Sequence, residues 1–172
     1  VVAAAALESG DYTAESTFPN PAELQLPEST FVISNSDSAT CGSGSTASIA
    51  TAIRLSCNIP FAQLGAELGS NAIREQANLF GFNESVSVPL ASTESVYPRA
   101  LDAPQTMLSA FGQSSVRASP LQMAMVSMAI ANSGTLMQPN LVESIVSSDL
   151  TTIQSFEPTL FSQALSPQTA AA

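Results

Sequence analysis

Histidine is absent from the 172 residues. That excludes serine catalysis through an imidazole base and any metal site that needs a histidine ligand. Cations are nearly as scarce: Lys and Arg number 4 against 14 Asp and Glu, a net charge of -10. Nucleic acid and anionic lipid both demand basic clusters, so neither is expected as a partner. An enzyme built on this chain would need a Lys or a carboxylate as its base, and no lysine motif is recognisable. Charged residues make only 10% of the chain, well below the usual quarter, so the polar surface must come from Ser, Thr, Asn and Gln. No apolar run approaches the roughly 18 residues that a spanning helix requires. No basic stretch precedes Val1 in the manner of a signal peptide. Cysteine occurs twice, as Cys41 and Cys57; two free buried thiols are what a cytosolic protein would hold.

What remains is an apolar chain with a helical pattern. Apolar residues make 45% of it, enough for one domain with a sizeable core. Residues 1–9 read as a helix ended by Gly10, without an N-cap. Residues 11–47 are rich in Pro, Ser, Thr and Gly and read as a loop with one or two short strands, Thr30 to Ser34 being the clearest candidate. A core helix is predicted over 70–81, with Ser70 or Asn71 as its cap and Ile73, Ala77 and Phe80 on one side. Residues 82–104 read as irregular, with Val86 to Leu90 extended. A short helix is expected in 104–111, and Ser119 with Pro120 opens another that is apolar nearly all round. That last helix, 120–131, is expected to be the most buried of the chain, with Met123, Val126, Met128 and Ile130 in the core. Residues 143–147 and 149–156 suggest a hairpin, and Pro167 opens a final helix.

The chain is organised around residues 48–65. Ile49, Ala52, Ile53 and Leu55 give an apolar helical face. Ser56-Cys57-Asn58 interrupts it, and Pro60 suits the first turn of a second helix whose apolar face continues through Phe61, Leu64 and Leu68. A hydroxyl and a carboxamide two residues apart share one side if the corner is extended. Two readings stand side by side. Asn58 caps the second helix, or Ser56 and Asn58 carry chemistry.

Three blocks in order bear on that choice. The run Leu55-Ser56-Cys57-Asn58-Ile59-Pro60-Phe61-Ala62-Gln63-Leu64-Gly65 resembles the S-x-N motif of class B penicillin-binding proteins with the helix that follows it. Gly112-Gln113 with Val116-Arg117-Ala118-Ser119-Pro120-Leu121-Gln122-Met123-Ala124 resembles the family's "GQ…V-x-x-TPLQMA". Ala129-Ile130-Ala131-Asn132-Ser133-Gly134 resembles its "A-x-I-A-N-x-G". The resemblance covers nearly the whole chain.

The resemblance implies an α/β fold of the α+β type, the transpeptidase and serine β-lactamase-like fold, with this chain carrying mainly the helical part. It implies that residues 1–172 are the interior part of one transpeptidase domain. The S-x-x-K motif with the nucleophilic Ser and its Lys base would lie just before Val1, and K-T-G after the last helix. The implied activity is a serine D,D-transpeptidase that cross-links peptidoglycan stem peptides and is acylated by penicillin and other β-lactams, without cofactor or metal. The Ser56 hydroxyl would bridge the two family lysines and shuttle a proton to the leaving amine. Asn58 would hold the acyl side-chain amide of the substrate and the first Lys. Class A β-lactamases use S-D-N at this place with a Glu-activated water; no such Glu motif is recognisable here. The implied location is extracytoplasmic, with a membrane anchor elsewhere in the parent protein, and there a Cys41–Cys57 disulfide is expected. Two other readings remain: a catalytically inactive scaffold that keeps the fold, and an acidic helical binding domain.

Overall fold

The computed structural model describes residues 1–36, 39–88, 90–99 and 101–172. Helix α1 (Val2–Ser9) closes at Gly10, which takes the left-handed conformation at φ 79°. Four strands then form where one or two were expected. β1 (Thr17–Pro19) pairs antiparallel with β4 (Thr46–Ser48), and β2 (Glu23–Gln25) with β3 (Val32–Ser34). Each is three residues long, too short to show a period of two in sequence. β1 buries Phe18 while Thr17 and Pro19 stay exposed; a proline is tolerated there because the two-stranded ribbon has free edges.

β4 runs directly into α2 (Ile49–Leu55), with the Ser48 hydroxyl accepting from the Thr51 N–H at 3.1 Å. Only Ile49 and Ala52 of the expected apolar face are buried; Ile53 is 57% and Leu55 42% exposed. The helix is two turns long and presents one side to the core, so a four-residue apolar face was too wide a reading. Helix α3 (Asn58–Leu79) begins two residues before Pro60. It is continuous to Leu79 except at Gly69, whose φ of 76° and ψ of 158° break it. The helix expected over 70–81 is therefore its second half. Ile59, Ala62, Ile73 and Ala77 are fully buried along it, which makes α3 the spine of the molecule. A short helix α4 (Ala103–Ser109), opened by an Asp102–Gln105 capping box, lies against it. The approach is close enough that a Cβ on Gly65 would sit 2.4 Å from the Ala110 Cβ.

Helix α5 (Pro120–Ala131) starts as the sequence predicts, with the Ser119 hydroxyl accepting from the Gln122 N–H. Its burial follows the prediction at Val126 and in part at Met128 only. Met125, Val126 and Ala129 face the core, but Met123 is 50% and Ile130 47% exposed, and Ala124 is exposed as well. Gln122, a polar residue, is buried instead, because its Nε2 donates to the Phe80 carbonyl. A helix that is apolar all round carries no periodicity to say which side faces in. β5 (Thr135–Met137) then pairs antiparallel with β8 (Leu160–Gln163), and the expected hairpin forms from β6 (Ser144–Val146) and β7 (Thr152–Ser155). α6 (Pro167–Ala171) closes the chain under a Ser166 cap. Among the described residues of 86–90 no strand forms; Pro89 lies outside them. No described helix is long and apolar enough to cross a membrane.

Candidate active site

The corner between α2 and α3 is not extended throughout. Ser56 closes α2 in the left-handed region, at φ 55° and ψ 49°, and only Cys57 is extended, at φ -87° and ψ 135°. The left-handed step turns the chain sharply, yet Ser56 and Asn58 still line one groove. Asn58 is the first residue of α3 and does not cap it; Cys57 holds the cap position and makes no side-chain capping bond. The simple capping reading of Asn58 therefore does not describe this corner.

The first turn of α3 is satisfied from outside the helix. The Cys57 N–H donates to the Ala52 carbonyl at 2.9 Å. The Asn58 and Ile59 N–H groups both donate to Oδ1 of Asn35, at 2.9 and 3.1 Å. Pro60 has no N–H to satisfy. Each orphan donor of a helix start is thus paired or absent. The Asn58 carboxamide is itself anchored, its Nδ2 donating to the Ser34 carbonyl at 2.9 Å.

Cys57 is tied to Cys41 by a disulfide, with α-carbons 5.8 Å apart. Cross-linking residues 16 apart contributes about 3 kcal/mol in the chain-entropy account. Asn20, 4% exposed, fixes the other end of that bridge. Its Nδ2 donates to the Cys41 and Gly44 carbonyls at 3.0 and 2.9 Å, and its Oδ1 accepts from the Cys41 N–H at 2.6 Å. The corner is therefore clamped twice, through the disulfide to Asn20 and through its backbone to Asn35. Neither asparagine carries a sequence signal. Asn20 sits between Pro19 and Pro21, and Asn35 lies in a Ser-Asn-Ser-Asp run; both read as loop.

The groove at the corner encloses about 520 Å³ between the start of α1, the corner, the end of α5 and α6. Val2, Leu7, Phe61 and Ile130 give it apolar walls; Ser56, Asn58 and Thr169 bring the polar groups. Among the described residues, no acid or arginine lines it. The Ser56 hydroxyl, on an exposed residue, has no hydrogen-bond partner among the described residues, and Oδ1 of Asn58 has none either. Among the described residues the corner thus offers a free hydroxyl and an oriented amide oxygen, and no base.

Comparison with known proteins fits this geometry. Residues 1–171 match the penicillin-binding protein transpeptidase domain. Peptidoglycan D,D-transpeptidase PbpA of Mycolicibacterium smegmatis is 37% identical over 172 residues, covering 99% of this chain and 35% of that protein. PbpA of Mycobacterium tuberculosis is 36% identical over 171 residues, 34% of its length. The chain thus spans about a third of the length of these curated relatives. The crystal structure of the Mycobacterium tuberculosis protein superposes with a TM-score of 0.93 at 34% identity, over 99% of this chain and 40% of that one. Its imipenem and penicillin G acyl-enzyme complexes superpose with TM-scores of 0.93 and 0.92 at 34% and 33% identity, over 99% of this chain and 39% of theirs. Agreement of this extent in both sequence and fold means that the chain belongs to the penicillin-binding protein transpeptidase family.

Proposed function

We propose that the protein carrying this chain is a serine D,D-transpeptidase that cross-links peptidoglycan stem peptides and is acylated by β-lactams. Residues 1–172 are then an interior part of its transpeptidase domain. The nucleophilic serine and its lysine lie just upstream of Val1, and the K-T-G strand follows α6. The protein works outside the cytoplasm, anchored to the membrane through another part of the chain.

The observation that supports this reading is the pairing of Ser56 and Asn58 on an apolar groove that begins at α1. The Ser56 hydroxyl is free to bridge two lysines and pass the proton that the leaving amine needs. A general acid must sit within hydrogen-bond reach of that proton. Asn58 has its Nδ2 held by Ser34, which leaves Oδ1 to accept from the acyl-side amide of a substrate or from the first lysine.

Substitution in the full-length protein separates the two roles. Ser56→Ala should slow acylation by about a hundred- to ten-thousandfold, the usual contribution of positioned proton transfer, with initial β-lactam binding nearly unchanged. Asn58→Ala removes a hydrogen bond to a charged group, about 1.5–3 kcal/mol, and should weaken initial binding as well as slow acylation. Stopped-flow acylation across β-lactam concentrations reads both quantities. A Ser56→Ala protein that acylates at the parent rate would leave the corner a structural turn without a part in the proton transfer.

A further inference from the structure

We infer that Asn35 is a positioning residue for the transpeptidase reaction, setting the orientation of the Asn58 carboxamide from the end of β3. The inference rests on the role proposed for Asn58. Asn35 is 8% exposed and lies 23 residues before Asn58. Its Oδ1 takes the two free N–H groups at the start of α3, at 2.9 and 3.1 Å, while its Nδ2 donates to the Ala39 carbonyl at 2.9 Å. The neighbouring Ser34 carbonyl takes Nδ2 of Asn58 at 2.9 Å. One dipeptide thus holds Asn58 by both backbone and side chain. Nothing on α3 replaces it, because the capping position belongs to Cys57, whose sulfur is committed to the disulfide.

The physical consequence is directional. A buried N–H pair left without an acceptor is costly, and Ile59 is fully buried. Removing Oδ1 lets the first turn of α3 shift to find water, and Asn58 moves with it. Displacements of about 1 Å at a positioning group reduce rates by up to about a hundredfold. The loss should fall on the interaction that Asn58 makes. Penicillin G carries an acylamido side chain whose amide Asn58 would hold. Imipenem carries a hydroxyethyl group there and offers no such amide. A merely structural cap would slow acylation by both compounds alike.

The experiment measures acylation of the full-length protein by penicillin G and by imipenem, for Asn35→Ala, Asn35→Asp and Asn58→Ala. Asn35→Ala should slow penicillin G at least tenfold more than imipenem, in parallel with Asn58→Ala. Asn35→Asp keeps an acceptor at the helix start, where a carboxylate is favoured, and should restore the parent ratio between the compounds. If Asn58→Ala shows the selective loss and a folded Asn35→Ala does not, Asn35 is only a cap and the inference fails. If Asn58→Ala shows no selectivity, Asn58 does not hold the acyl-side amide, and the inference fails with that part of its role. Should Asn35→Ala not fold, Asn35→Asp and Asn35→Ser decide. Serine retains an oxygen but on a shorter stem, so it should give an intermediate ratio, and a Ser variant with the parent ratio overturns the inference.

Discussion

Ser56 pays a conformational penalty where it stands. A non-glycine residue in the left-handed region is less stable by about 1–2 kcal/mol, and glycine is the common choice at that helix-ending position. A serine held there by a disulfide neighbour and a buried helix start fits a site where strain is retained for function. Ser56→Gly should therefore leave the unfolding free energy from urea titration unchanged or raised, by up to about 1 kcal/mol. It should slow acylation of the full-length protein as much as Ser56→Ala does. A destabilised Ser56→Gly protein would show that the hydroxyl, not the backbone, stabilises the corner. At this scale the sequence is half legible. Pro60 and three small polar residues mark where the periodicity breaks, so the corner can be found; the Cys41–Cys57 pairing comes only with the family resemblance. The left-handed serine and the contribution of Asn35 cannot be found, because one is a backbone state without a composition signature and the other is a contact made across 23 residues.

Between elements, one carboxylate bridges α1 to the start of α6. Oε1 of Glu8, in the last turn of α1, accepts from the Ser166 N–H at 2.9 Å and from its hydroxyl at 2.8 Å. Partial burial pushes the Glu8 carboxyl up, but the hydrogen bonds from Thr169 and Ser166 outweigh it and hold the carboxyl below its ordinary 4.5. A group whose folded pKa is depressed adds stability above its unfolded value and loses it as pH falls through the folded one. Docking of α6 should accordingly be complete near neutrality and weaken below pH ~4.5. Hydrogen exchange at Thr169 and Ala170 would accelerate there relative to the intrinsic rate, and Glu8→Gln should abolish the pH dependence. Unchanged protection at pH 3 would mean that apolar contacts alone hold α6. Neither Glu8 nor Ser166 stands out in the sequence, since their partnership spans nearly the whole chain. Elements with strong local signals, such as α5 under Ser119-Pro120, are placed correctly from sequence. The burial of α5 is not, because its composition is apolar on every side.

At the scale of the whole molecule, the exposed apolar residues and the missing base belong together. Ile53 and Ile130 are both largely exposed on the groove where Ser56 and Asn58 stand. On the proposed reading the rest of the transpeptidase domain packs around that groove and supplies its lysines. All four cations of the chain are arginines, Arg54, Arg74, Arg99 and Arg117, and arginine does not give up its proton in proteins. None of the described acids lines the groove. A serine hydroxyl without a base is a weak nucleophile, so Ser56 should not attack a β-lactam on its own. The 172-residue chain incubated with penicillin G should therefore keep its mass in intact-protein mass spectrometry. The full-length protein under the same conditions should gain one penicillin, on a serine outside this chain. Retention of the Cys41–Cys57 disulfide and of helical circular dichroism would show that the isolated chain is folded when it fails to react. A stoichiometric adduct mapping to Ser56 would reverse the assignment, making that residue the nucleophile and one of the acids its base.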